Sequence, residues 1–101
     1  MTRATEDPSD VIEAILDRLE RGEEYMAGGV DYRGPEAVGG HERLWCEAGE
    51  LCYETVDFHE LGGRRDHESR HEVRGGRAEI RELLTRQPAL LRAIRERWSI
   101  G

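Results

Sequence analysis

Three groups of residues in this chain have the types and spacing for chemistry. His67-Glu68-Ser69-Arg70-His71 sets two imidazoles four residues apart, with a carboxylate beside the first. On a helix such residues are neighbours about 6 Å apart. Cys46 and Cys52, with five residues between them, could meet across a hairpin with His41 or His59 as metal ligands. Their spacing is not that of a standard zinc knuckle, and buried free thiols explain it more simply. Glu54 and His71 could form an acid–base couple, or an ordinary cross-strand pair, if their segments pair. No Ser/His/Asp signature, phosphate loop or dinucleotide fingerprint is present. Gly28-Gly29 and Gly39-Gly40 lack the following helix that a phosphate site needs. No residue is assigned a catalytic role, no metal site is assigned, and no cofactor is expected.

The segment 67–71 resembles the zincin metalloprotease signature H-E-x-x-H. Over those five residues the resemblance implies a zinc-dependent hydrolase with His67 and His71 as ligands and Glu68 as base. The neighbouring sequence points to a strand instead. Gly62-Gly63 and Gly75-Gly76 bracket it, and charged Asp66, Arg70 and Glu72 stand where a buried active-site helix carries uncharged residues. At about 3.3 Å rise per residue, histidines four apart in a strand lie roughly 13 Å apart, too far to share one zinc.

The elements that position these groups follow from hydrophobic period. Residues 1–6 read as a loose tail and 7–101 as one small domain. Asp7-Pro8-Ser9-Asp10 is a helix start, with Asp7 as cap, Pro8 in the first turn and Asp10 at the positive end of the dipole. Val11, Ile12, Ile15, Leu16 and Leu19 form one face of a helix near 8–21, ended by Gly22. Glycine pairs punctuate 23–41, which reads as a long loop with one short strand near Val30. Residues 42–74 alternate as a three-stranded antiparallel meander, with turns at Glu47-Ala48-Gly49 and Gly62-Gly63. Ile80, Leu83, Leu84, Leu91, Ile94 and Trp98 mark a C-terminal helix broken by Pro88 near Gln87. The expected fold is α+β, with the helices on one face of the meander.

Reflecting the chain about Gly62-Gly63 pairs Glu60 with Arg65, His59 with Asp66 and Glu54 with His71. Asp57 facing Glu68 is the pair that counts against this register. It puts Leu44, Cys46, Cys52, Val56, Phe58 and Val73 on a core face with Glu54, His67 and His71. Ile15, Leu16, Leu19, Val56, Phe58, Leu83, Leu84 and Ile94 are the expected core. Trp45, Leu51, Tyr53 and Thr55 fall on the other face, among Arg70, Arg74, Glu68 and Glu72. Trp45, Leu51, Tyr53, Arg70 and Arg74 are therefore the candidate partner-binding residues. Aromatics and arginine are enriched at binding hot spots, and Arg43 could join the rim. The free edge of the Leu44 strand offers a route to a homodimer.

Bulk composition narrows the classes. The chain has 101 residues with 15 basic side chains, all Arg, and 22 acidic ones, for a net charge of −7. The absence of Lys fits a GC-rich genome, or a surface built for bidentate contacts. Residues 1–60 hold 16 acids and 5 arginines, and residues 61–101 hold 6 and 10, so the halves can neutralise each other within the fold. No run approaches the length of a membrane span, and no export signal opens the chain. Two cysteines are too few for a disulfide scaffold, which suggests a reducing cytoplasm. The negative charge argues against nucleic acid, whose remaining route is the basic C-terminal helix. The expectation is a small cytoplasmic, non-catalytic protein-binding or regulatory protein. Accessory proteins of bacteria or phages that modulate a larger protein are of this kind.

Overall fold

Pro8 opens the first helix and Gly22 closes it. A computed structural model describes residues 8–100 and carries α1 over Pro8–Glu20. Asp7 and the tail 1–6 lie outside the described residues. Val11, Ile12, Ile15, Leu16 and Leu19 form one buried stripe. Gly22 takes φ 99; its N–H bonds Leu19 O, and Glu23 N–H bonds Arg18 O at 3.1 Å. This Schellman arrangement satisfies the last carbonyls of the helix.

Four strands follow: β1 (Tyr25–Arg33), β2 (Glu36–Glu47), β3 (Glu50–Leu61) and β4 (Arg64–Gly75), an antiparallel meander in chain order. The three-stranded expectation is corrected here, because 23–41 is not a loop but β1, a Gly34-Pro35 turn and the start of β2. Its glycine pairs sit inside strands, and at Gly28, Gly39 and Gly40 the neighbouring strand passes too close for a side chain, whereas Gly29 faces open space. A Cβ at Gly28 would run into Gly40 O, and one at Gly40 into Val56 O. The Leu44 strand is therefore interior, and β1 and β4 are the edges.

Two single-residue details decide which side chains share a face. The β2–β3 turn has two residues, Ala48 and Gly49 at φ 53 and 82, so Glu47 faces Glu50. One residue fewer in the loop than expected turns β3 over relative to β2. On β4, Glu60 pairs with Arg65 as expected, but a bulge then leaves Asp66 outside the ladder and pairs His59 with His67. Downstream, Asp57 faces Ser69 rather than Glu68, and Glu54 faces Glu72 rather than His71.

Tyr25, Leu44, Leu51, Tyr53 and Val73 consequently share the face that packs on the helices. Trp45, Cys52, Glu54, Val56, Phe58, Arg70 and Arg74 lie on the opposite, open face. Leu51 and Tyr53 thus exchange faces with Val56 and Phe58 relative to expectation, although Val56 is buried as expected and Phe58 half-buried, and Cys46 and Cys52 fall on opposite faces.

After Gly75 the chain enters α2 (Arg77–Arg86) and α3 (Pro88–Trp98), broken at Gln87 as the sequence indicates. Glu79 accepts the Gly76 N–H at 2.8 Å at the start of α2, and Pro88 begins α3, where a missing N–H costs nothing. Ile15, Leu16, Leu19, Leu83, Leu84 and Ile94 belong to the core cluster, as expected. Strands of 12 residues reach about 40 Å, whereas the helices span roughly 15–20 Å. The helices therefore cover one end of the sheet, and the hairpin ends project. The radius of gyration is 16.1 Å, against about 13 Å for a compact chain of this length. Among the described residues, no helix is long and apolar enough to cross a membrane.

Candidate interaction face

The open face is built in rows across the strands. Trp45, Cys52 and Arg74 form the row nearest the β2–β3 turn, and Arg43, Glu54 and Glu72 the next. His41, Val56 and Arg70 follow, then Val30, Gly39, Phe58 and Glu68. No helix covers these rows. Arginine stems do so instead, laying methylenes on apolar surface while the guanidinium groups reach carboxylates.

Trp45 shows how complete this cover is. The Arg43 guanidinium lies 4.0 Å from its ring centroid, and its indole N–H donates to Glu47 at 2.9 Å. Arg43 is itself held in a fork by Glu24, at 2.8 and 3.2 Å. Trp45 is left 7% exposed, so its expected accessibility is corrected. Further along, Glu54 accepts from His41 at 3.0 Å and from Arg70. Those two partners, His41 first, hold its carboxyl below the usual range. Arg65 stacks over Phe58 at 4.1 Å and bonds both Glu60 and Glu68. Arg74 reaches Glu72 and Glu50.

The five expected binding residues are therefore not brought together. Trp45, Arg70 and Arg74 share the open face, whereas Leu51 and Tyr53 are core. Tyr53 donates its phenol to Glu42 at 2.6 Å beside Gln87, at the floor of a groove of about 580 Å³. Burial first, and then the Glu42 carboxylate, push that phenol's pKa up, so it stays protonated as a structural donor.

What sequence reasoning passed over is the uncovered part of the open face. Met26, Val30 and Tyr32 alternate along β1 and are 47%, 44% and 75% exposed. Among the described residues, no arginine stacks over the Tyr32 ring as Arg43 and Arg65 do over Trp45 and Phe58. Their period-2 signal is present in the sequence but broken by Gly28-Gly29.

The other constellations resolve structurally. His67 and His71 are exposed on a strand, and Glu68 points to the opposite face, bound to Arg65. Among the described residues no group of three or more His, Cys, Asp or Glu could hold a metal ion. Of the basic helix, Arg77 bonds Glu13, Asp17 and Glu20 on α1, and Arg81 bonds Glu13. Arg81 and then Arg77 lower the Glu13 carboxyl to about 2. Much of the charge asymmetry between the two halves is thus spent between α1 and α2. The cysteines are free, Cys52 buried and Cys46 half-buried.

Comparison with family models, curated proteins and solved structures finds no match.

Proposed function

We propose that this chain is a small non-catalytic protein-binding protein of the cytoplasm, an accessory that docks on a larger protein. One observation carries the reading. Most of the open face is sealed by ion-paired arginines, while Met26, Val30 and Tyr32 stand bare on a projecting edge strand. Apolar side chains grouped this way beside a charged rim are the ordinary signature of a protein contact. Arg65 and Arg70, already oriented by carboxylates, supply that rim on the β4 side. Two free thiols on opposite faces suit a reducing compartment.

The test is capture from the source cells by tagged full-length chain, comparing wild type with a Met26→Ala/Tyr32→Ala variant. The variant truncates side chains and leaves the main chain of β1 intact. A protein bound by wild type and lost from the folded variant supports the reading. A protein retained by both, or none captured by either, overturns it.

A further inference from the structure

The two edges of the sheet are built differently. β4 alternates and clusters charge from Arg64 to Arg74 and carries the bulge at Asp66, two devices that keep an edge from pairing with another chain. β1 has neither. From Tyr25 to Val30 it holds no charged side chain, and Asp31 and Arg33 stand only at its far end.

The main chain of β1 is also open. Arg33 and Glu36 flank a two-residue turn, so they exchange their hydrogen bonds, and the alternate residues Ala27, Gly29 and Asp31 bond inwards as well. Met26, Gly28, Val30 and Tyr32 then present N–H and C=O outwards. Arg97 Nη1 donates to Met26 O at 2.9 Å, which agrees with that parity. Among the described residues, none bonds the outward groups of Gly28, Val30 or Tyr32.

We infer that β1 pairs with β1 of a second copy of this chain, antiparallel about a two-fold axis at Gly29, joining two sheets into one of eight strands. The strand is complementary to itself in this register. Met26 falls opposite Tyr32 of the copy and Gly28 opposite Val30, so large meets large at the ends and small meets large at the centre. Gly29 meets Gly29 on the axis without a side chain to separate the backbones. Charge does not oppose the pairing, since Arg33 of one strand falls beside Glu24 of the other, a carboxylate that also holds Arg43 of its own chain. The exposed Arg97 side chain gives up Met26 O to the main-chain N–H of Tyr32 from the copy.

This inference stands on main-chain groups of an edge, whereas the binding reading stands on side chains of a face. The two fail separately. A monomer that captures its partner overturns only the dimer, and a dimer that captures nothing overturns only the accessory reading.

Sedimentation equilibrium of the full chain over a micromolar to millimolar range tests it. The expected result is a reversible dimer at twice the 11.6 kDa chain mass. Val30→Pro removes an outward N–H and no inward bond, a substitution that an edge strand accepts. Val30→Arg instead gives β1 the charge that β4 carries. Both are expected to sediment as monomers with wild-type far-UV circular dichroism. A monomeric wild type throughout the range, or a dimer that persists in either folded variant, overturns the inference. Should Val30→Pro fail to fold, Val30→Arg decides alone.

Discussion

Phe58 and Gly39 are cross-strand partners on the open face, and the phenyl ring occupies the space a side chain at 39 would need. A Cβ there would lie 2.9 Å from Phe58 Cζ and 2.6 Å from Gly29 O. The ring is held from above by Arg65, so it is not free to swing aside. Gly39 thus buys a close approach of β1, β2 and β3 that no other residue permits. Gly39→Ala should cost about 1–3 kcal/mol by overpacking, read from urea denaturation. A cost below about 0.5 kcal/mol would show that the ring and the β1 carbonyl can yield.

Leu16 on α1 and Leu83 on α2 belong to the same helix–sheet core, fully and nearly fully buried. Either one replaced by Ala should lower stability by about 2–5 kcal/mol, from lost transfer free energy plus the cavity left behind. Phe58→Ala is expected to cost less than Leu16→Ala, because its ring lies outside that core under an arginine. An equal or larger loss at Phe58 would contradict the face assignment.

Stability should respond to pH at two places with opposite signs. His59 donates through both ring nitrogens, to Asp66 at 2.6 Å and to Glu36 at 2.8 Å, which requires the imidazolium form. Asp66 first, and then Glu36, raise its pKa. That contribution is complete below the ordinary His value of about 6.5 and is lost as pH rises through the raised one. Glu13 behaves in reverse. Its contribution is complete above the ordinary value and is lost as pH falls through about 2. Melting curves across pH should show His59→Gln flattening the alkaline side of the neutral range and Glu13→Gln flattening the acid limb. If each variant runs parallel to wild type, the pairs contribute nothing.

The strand geometry of β4 predicts that added zinc leaves the melting temperature of the protein unchanged, and that His71→Ala does not alter its metal content. One zinc per purified chain, lost on His71→Ala, would show that His67 and His71 are brought together in a way the strand does not allow.

Much of the architecture was legible locally. Helix α1, the break between α2 and α3 at Pro88, the turn at Gly62-Gly63 and the strand character of 64–75 each follow from period and turn chemistry within a short window. Strand β1 was hidden because its glycines carry two meanings. Gly34 makes a turn at φ 63, whereas Gly28 and Gly40 are demanded by backbones that approach only once the sheet has formed.

The amino-acid sequence by itself determined which segments are helical or extended, which residues are apolar, and that acids in the first half could meet arginines in the second. Only the tertiary structure decided the faces. In a sheet, one residue more or less in a turn or a bulge turns every later side chain to the other side. Ala48 in a left-handed turn and Asp66 outside the ladder each shifted that parity, and neither residue type announces it. Tyr53 therefore entered the core, Trp45 went under Arg43, and the bare surface fell to Met26, Val30 and Tyr32, because burial depends on which neighbours a register supplies rather than on the residue alone.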